Sequence, residues 1–270
     1  MIKPDPQSGI IYRSWQPLQA QAVFLLVHGL GAHSGRWEAL AKYFSSHNFS
    51  SYALDLRGFG STPDLKGHIG SFDIYFQDIL TLRKIIEKEN PGKKIFLAGE
   101  SFGGMLSFLL AQKQGQAFSG LILFAPAFSI KMQVSWWDYL QVALHLFINP
   151  QKQFKARLKA EMCTRDPAYQ QQLDSDPLES REVSAKFMAN YFLAESQARK
   201  VPAKLAIPVL FLVAGEDRIV NPQETKRIFR WLDCQDKELI KYPEMSHALS
   251  IDLGKEQVFA DILKWIKDRL

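Results

Sequence analysis

The stretch GESFGG, residues 99–104, carries the pattern G-x-S-x-G between an apolar run and a helical pattern. The run KIFLA (94–98) predicts a buried strand, and MLSFLLAQ (105–112) predicts a helix. A sharp turn between strand and helix holds a serine hydroxyl where a base can reach it. Because such a turn crowds the backbone, glycines at 99 and 103 fit it. We therefore predict that Ser101 is a catalytic nucleophile, and the alternative is a Gly-rich turn without a catalytic role.

Short apolar runs alternate with helical patterns along most of the chain. The runs are rich in Val, Ile, Leu and Phe and are bounded by Gly or Pro, which is typical of strands. This alternation predicts an α/β fold, with a mostly parallel central sheet and helices on both faces. The predicted strands are 22–27, 51–54, 94–98, 120–124, 208–213 and 239–242, with an N-terminal strand at 9–15, and the helical patterns are 35–47, 72–90, 102–115, 222–233 and 255–268.

The alternation stops after residue 126, and no buried-strand pattern returns until about residue 203. This segment is predicted to be helical and is too long for a loop. We therefore predict a helical cap (lid) at 127–202, inserted into a core made of 1–126 and 203–270. The stretch 134–148 within it is apolar except for a narrow polar stripe. Such a helix either packs into the body or acts as a lid that lines an apolar pocket or touches lipid.

Two further side chains follow predicted strands. Serine hydrolases on α/β sheets carry their acid and base after the nucleophile, in the order Ser, Asp or Glu, His. Asp217 follows the strand 208–213, and His247 follows the strand 239–242. Open α/β sheets place catalytic groups past the carboxyl ends of strands. We therefore predict a triad of Ser101, Asp217 and His247, with Glu216 as a rival acid and a helix-capping aspartate and a surface histidine as the non-catalytic alternatives.

The loop HGLGAHSGRW (28–37) follows the strand AVFLLV. A tetrahedral intermediate carries a negative oxygen that needs two fixed N–H donors. We predict the backbone N–H groups of Leu30 and Phe102 for this role. The loop also resembles a dinucleotide fingerprint, but its glycines at 29, 31 and 35 do not match G-x-G-x-x-G. Nucleotide binding would also leave Asp217 and His247 unexplained.

The composition is that of a globular protein. The chain has 270 residues, 47% hydrophobic and 23% charged, which excludes disordered, collagen-like and coiled-coil classes. A net charge of +5 without a dense basic block leaves an anionic lipid surface open, and we expect no nucleic-acid partner. The two cysteines form no CxxC pattern, so we expect no metal site and no cofactor. With no apolar signal region and no 18-residue apolar run, we expect a cytoplasmic protein.

With these segments, the chain resembles the α/β-hydrolase superfamily, and more closely the monoacylglycerol lipase and lysophospholipase group, which includes S33-type serine aminopeptidases. The resemblance spans about residues 10–268. It implies an eight-stranded sheet, a helical cap and a serine esterase mechanism with the residues predicted above. Phe102 stands where the group usually has methionine, and the short N-terminus leaves open whether one edge strand is missing. The matching segments are 28–37, 55–61 (DLRGFGS), 99–104, 215–218 (GEDR), 246–247 and, within the cap, 174–178 (DSDPL).

We therefore predict a metal-free serine hydrolase of carboxylic esters. The apolar cap suggests medium-to-long acyl chains, such as monoacylglycerols or lysophospholipids, as small-molecule ester or lipid substrates. Alternatives are a small-ester or aromatic-ester carboxylesterase, a thioesterase, an aminopeptidase and, remotely, a non-catalytic binding protein on the same fold. A transient contact of the cap with a membrane surface and the oligomeric state are left open. The predicted substrate pocket includes His33, Trp136, Trp137, Tyr139 and Val220.

Overall fold

The computed structural model describes residues 2–131 and 135–270. Strands and helices alternate along these residues, apart from one interruption between β6 and β9. The strands are β1 (Ile2–Pro4), β2 (Ile11–Trp15), β3 (Ala22–Val27), β4 (Phe49–Asp55), β5 (Lys94–Glu100), β6 (Gly120–Phe124), β7 (Gln153–Lys155), β8 (Glu182–Ser184), β9 (Val209–Ala214) and β10 (Lys237–Tyr242). The α-helices are α1 (Glu38–Ser46), α2 (Asp73–Glu89), α3 (Phe102–Gln114), α4 (Trp136–Ile148), α5 (Ala160–Cys163), α6 (Pro167–Ser175), α7 (Ala185–Ala198), α8 (Pro222–Trp231) and α9 (Lys255–Lys267).

Eight of these strands form the central sheet, in the order β1-β2-β4-β3-β5-β6-β9-β10. β1 and β2 run antiparallel to their neighbours, and the pairs from β4 to β10 are parallel. The prediction of a mostly parallel sheet flanked by helices is therefore confirmed. All six predicted central strands are present, with ends that differ by up to two residues. β1 completes the edge that the sequence left open.

The strand β3 shows why the central strands are continuous apolar runs. Its side chains alternate between the two faces of the sheet, and each face is covered by helices. Val23 and Leu25 join a core that contains residues of α2 and α3. Phe24 and Leu26 join a second core that contains residues of α1 and α9. Because β3, β5, β9 and β10 run parallel, their carboxyl ends lie along one edge of the sheet, and the loops that follow these strands meet there.

The interruption between β6 and β9 contains α4 to α7 and one short antiparallel pair. All four helices, α4 to α7, fall where helices were predicted, but β7 and β8 pair as strands of three residues each. Their sequences, QFK and EVS, contain one apolar residue each and no continuous apolar run, so the sequence did not indicate them. α7 packs against α3, and α4 packs against α7. The predicted helix 134–148 begins at Trp136, and its first predicted residue, Val134, lies outside the described residues.

Among residues 2–131 and 135–270, no helix has both the length and the hydropathy that a bilayer crossing requires.

Candidate active site

Ser101 occupies the sharp turn between β5 and α3, with φ +55° and ψ −116°. This conformation is strained for a residue with a side chain and is typical of functional sites. Its N–H donates to the carbonyl of Phe124 at 2.9 Å, which fixes the turn to the neighbouring strand. A Cβ at Gly99 would lie 2.4 Å from the carbonyl oxygen of Gly103, and one at Gly103 would lie 2.3 Å from that of Val27. The two glycines of the motif therefore permit the close approach of α3 to the sheet.

Asp217 and His247 form a buried hydrogen-bonded pair. His247 Nδ1–H donates to Asp217 Oδ2 at 2.7 Å. The other carboxylate oxygen, Oδ1, accepts from the backbone N–H groups of Ile219 and Val220, both at 2.8 Å. Because Nδ1 carries the proton in this pair, Nε2 is the nitrogen free to act as a base. The rival acid Glu216 is exposed to solvent, so the geometry favours Asp217.

The two partners shift each other's pKa in opposite directions. Burial alone would raise the pKa of Asp217, but the charge and hydrogen bond of His247, with the backbone donors, lower it below its ordinary value. Burial likewise opposes protonation of His247, and the Asp217 carboxylate raises the pKa of the imidazole above its ordinary value. Asp217 is thus ionised at neutral pH and can stabilise a cation on His247.

A cavity of about 240 Å³ lies at this edge of the sheet and is lined by Ser101, His247, Leu30, Phe102 and Val220. The structure therefore brings these five predicted residues together. The rest of the wall comes largely from residues outside the predicted pocket. Four of them follow helical spacing on α7, a pattern that could have indicated an apolar face. The apolar side chains of this part of the wall are Phe154, Leu158 and Val183, together with Phe187, Met188, Tyr191 and Phe192 of α7.

The loop after β3 passes directly against the nucleophile. A Cβ at Gly29 would lie 3.4 Å from the Cβ of Ser101. The next residue, Leu30, lines the cavity. Phe102 is the first residue of α3, where backbone N–H groups have no partner within the helix. Both backbone groups can therefore serve an oxygen held over Ser101.

Buried polar groups hold this loop in place. His28 Nδ1–H donates to the carbonyl of Gly29 at 2.8 Å, and its Nε2 accepts from the N–H of Leu56 at 3.0 Å. Burial lowers the pKa of His28 to about 4, so the ring is neutral at pH 7 and can accept. Asp55, at the end of β4, accepts from the N–H of Ser34 at 2.7 Å. The segment 55–61 thus supports the loop rather than the substrate.

Four predicted pocket residues lie away from the cavity wall. His33 Nε2 lies 3.0 Å from Asp176 Oδ2, in a separate cavity beside the loop. Trp136, Trp137 and Tyr139 lie on α4 with 74%, 52% and 49% of their surface exposed. Of the residues of α4, only Asp138 lines the cavity that contains Ser101, whereas α7 contributes four side chains to its wall. Only Tyr139 approaches the wall, since its ring contacts that of Phe192, with centroids 5.0 Å apart.

The sequence and the fold of this chain are similar to those of known proteins. A family model described as serine aminopeptidase, S33, matches residues 19–254. The monoglyceride lipase of Mus musculus is 26% identical over 275 residues, which cover 100% of this chain and 90% of that protein. The monoacylglycerol lipase of Paleococcus ferrophilus is 25% identical, with a TM-score of 0.87 over 97% of this chain and 99% of that chain. A soluble variant of the Saccharomyces cerevisiae monoglyceride lipase has a TM-score of 0.87 at 22% identity, covering 100% and 94%, and shows the fold alone.

These similarities confirm the α/β-hydrolase fold, the resemblance to the monoacylglycerol lipase group and the prediction of an enzyme of the carboxylic ester hydrolase class. Residues 19–254 comprise most of the chain, from the loop before β3 to the turn before α9. They include the strained serine turn and the buried carboxylate–imidazole pair. The chain belongs to the serine aminopeptidase S33 family of α/β-hydrolases.

Proposed function

We propose that this protein hydrolyses carboxylic esters of medium-to-long acyl chains through Ser101, His247 and Asp217. The observation that carries the proposal is the 2.7 Å contact between His247 Nδ1 and Asp217 Oδ2, in a pair whose imidazole lines the same cavity as the strained Ser101. A nucleophile, a base and an orienting carboxylate in this arrangement form the recurring catalytic unit of serine hydrolases.

The reaction would run in two halves. His247 Nε2 takes the proton of Ser101, whose oxygen attacks the ester carbonyl, and the negative oxygen that forms accepts hydrogen bonds from Leu30 and Phe102. His247 then gives the proton to the departing alcohol, which leaves an acyl-enzyme. Water, deprotonated by the same imidazole, releases the acid and restores Ser101. Asp217 keeps the proton on Nδ1 and stabilises the imidazolium in both halves.

The apolar wall supports an acyl substrate. Phe187, Met188 and Tyr191 of α7 line the same cavity as Ser101, so an acyl chain would lie against them. We include in this proposal that residues 127–202 form a cap over a core of 1–126 and 203–270. The relatives named monoglyceride lipase support a monoacylglycerol substrate, and a lysophospholipid offers the same single acyl chain.

A second candidate is an esterase for short acyl chains. The cavity volume of about 240 Å³ favours it, because pockets for larger ligands usually hold roughly 300–1,000 Å³. Hydrolysis of short esters would use Ser101 and His247 in the same way. The apolar wall would then serve mainly as packing between α7 and α3.

Hydrolysis of p-nitrophenyl esters from acetate to palmitate separates the two candidates. We expect a maximum at medium or long chains and almost complete loss of turnover in Ser101→Ala, because no other nucleophile replaces the serine oxygen. A fluorophosphonate probe should label the wild type but not the variant. A maximum at acetate or butyrate would favour the second candidate. Turnover that survives in Ser101→Ala would contradict both candidates, and a wild type without labelling or turnover would favour a binding protein.

A further inference from the structure

Glu100 is a buried carboxyl group that the mechanism above does not use. It ends β5, directly before Ser101, and exposes only 3% of its surface. It lines the same cavity as Ser101 and His247. Since a buried carboxylate is costly unless hydrogen bonds and opposite charges compensate it, its contacts indicate its role.

Both carboxyl oxygens of Glu100 contact Ser250, three residues after His247. Oε1 accepts from the backbone N–H of Ser250 at 3.1 Å, and Oε2 accepts from its hydroxyl at 3.0 Å. Ser250 itself is fully buried. The turn between the two residues is tight, because the N–H of Leu249 donates to the carbonyl of His247 at 3.1 Å. A displacement of Ser250 would therefore move His247, and Glu100 ties this turn to the strand of the nucleophile.

The charges around His247 come from three elements. Asp217, after β9, contacts the imidazole directly, and Glu100 acts on it from the end of β5. Arg36, in the loop after β3, lines the same cavity and is paired with Glu179 at 2.5 Å, and its positive charge acts on both groups. Burial raises the pKa of Glu100, and the positive charges of Arg36 and His247 oppose that rise. Burial lowers the pKa of His247, Asp217 overcomes this effect, and Glu100 acts in the same direction as Asp217.

We propose that Glu100 is a positioning residue for His247, which anchors the histidine turn through Ser250 and stabilises the imidazolium that forms when Ser101 loses its proton. The inference rests on the proposed function, because Glu100 has this task only in a reaction between Ser101 and His247. Glu100 forms no covalent bond and transfers no proton. The proton taken from Ser101 stays on His247 Nε2 until the alcohol leaves with it. Fixed charges of this kind act strongly in a buried site.

The substitution Glu100→Gln removes the charge and nearly keeps the shape. We expect kcat to fall about tenfold with little change in KM, since the cation on His247 loses one stabilising carboxylate. We also expect the acidic limb of kcat/KM to move by about one pH unit to lower pH, because loss of a nearby negative charge lowers the pKa of His247. A purely structural role would lower the rate without moving the limb.

An NMR titration of the His247 ring tests the charge effect without turnover. We expect the pKa of His247 to be about one unit lower in Ser101→Ala/Glu100→Gln than in Ser101→Ala. Equal values in the two proteins would overturn the inference, whatever the activity of Glu100→Gln.

Two control variants distinguish the charge of Glu100 from its hydrogen bond to the Ser250 hydroxyl and from nonspecific effects of a substitution. Ser250→Ala keeps the carboxylate and loses only the 3.0 Å hydroxyl bond, so we expect a smaller loss of kcat and an unmoved acidic limb. Glu195→Gln alters a partly buried carboxyl on α7 that accepts from the N–H of Ile130 at 3.3 Å, and should leave the profile unchanged.

The outcomes also distinguish this inference from the proposed function. If Glu100→Gln does not fold, Ser250→Ala decides, since a wild-type kcat in that variant would overturn the anchoring role. Hydrolysis that depends on Ser101, combined with an unshifted profile in Glu100→Gln, would refute the role of Glu100 alone. Absence of any hydrolysis that depends on Ser101 would refute the proposed function first.

Discussion

The carboxylate of Asp217 is buried with 2% of its surface exposed, yet it remains ionised because three hydrogen bonds satisfy it. Two come from backbone N–H groups that follow β9, and the third comes from His247. The backbone donors keep the carboxylate oriented when the imidazole changes its protonation state. Because this fixed carboxylate stabilises the imidazolium, we expect His247 to work as a base at neutral pH.

The substitution Asp217→Asn tests this pair. We expect kcat to fall by about 10⁴-fold, because the amide no longer favours the correct tautomer or the imidazolium. The acidic limb of kcat/KM should move to lower pH, since the raised pKa of His247 depends on the carboxylate. Steady-state kinetics from pH 5 to 9 would measure both effects. Glu216→Gln is the matched control, and a comparable loss there would identify Glu216 as the acid instead.

The lowered pKa of His28 predicts how the free energy of unfolding depends on pH. Its pKa is about 4 in the folded protein and 6.5 in its ordinary state, so the unfolded chain binds the extra proton between these values. The free energy of unfolding should therefore fall as the pH falls from about 6.5 toward 4, by about 3 kcal/mol from this residue. The raised pKa of His247 acts in the opposite sense, because its contribution is lost as the pH rises through the folded value.

Urea unfolding at pH 7 and at pH 4.5 measures the effect of His28. The variant His28→Gln keeps an acceptor for the N–H of Leu56 and has no titration in this range, so its stability should depend less on pH than that of the wild type. His47→Gln, on the end of α1, is the control. Equal pH dependence in His28→Gln and the wild type would show that His28 is not the group that titrates.

At the scale of elements, the contact between α3 and the sheet decides whether the serine turn can form. The helix begins directly after Ser101, and Gly103 lies against the carbonyl oxygens at the end of β3. Phe102 packs its ring against Phe72, Phe187 and Tyr191, so the first turn of α3 also supports α7. The position of the nucleophile and the shape of the cavity therefore both depend on the first turn of α3.

Gly103→Ala should disrupt this contact. The added Cβ would lie 2.3 Å from the carbonyl oxygen of Val27 and 2.4 Å from that of His28, and backbone atoms cannot rotate away. We expect a loss of about 3 kcal/mol or more in unfolding free energy, or failure to fold, together with loss of activity. Gly115→Ala, where the nearest atom is 3.8 Å away, is the matched control and should change the stability by less than about 1 kcal/mol. Equal thermal midpoints for the two variants would contradict this account.

At the scale of the whole molecule, the exposed face of α4 stands out. Six large apolar side chains of this helix reach solvent. Two exposed cations belong to the segment that follows the helix: Lys155, which ends β7, and Arg157, whose guanidinium lies 3.6 Å from the carboxylate of Asp138 on α4. An apolar helix face flanked by basic residues is typical of contact with an anionic lipid surface. The apolar side chains are Trp136, Trp137, Leu140, Leu144, Phe147 and Ile148.

We expect the protein to co-sediment with vesicles that contain anionic phospholipid. The double variant Trp136→Ser/Phe147→Ser should bind at least tenfold more weakly, because each side chain loses about 1.5–3 kcal/mol of apolar burial. Leu18→Ser removes a fully exposed apolar side chain from the loop between β2 and β3, and this variant should bind like the wild type. Absence of wild-type binding, or equal loss in both variants, would contradict a lipid contact of α4.

The strands, the serine turn and the order Ser101, Asp217, His247 could be predicted from the sequence because they depend on neighbouring residues. Apolar runs make buried strands, glycines permit a crowded turn, and each candidate residue follows its own strand. Since parallel strands end at one sheet edge, this local information was enough to place the three residues near each other. The cytoplasmic location and the absence of a cofactor stay predictions.

The lining of the cavity was decided only by the tertiary structure. Whether α4 or α7 covers Ser101 depends on how distant helices pack, and both carry aromatic residues, so composition could not separate Trp136 from Tyr191. The pairing of His33 with Asp176 and of Glu100 with Ser250 likewise joins segments more than one hundred residues apart. Local patterns predict what a segment forms, and contacts between remote segments determine what each side chain touches.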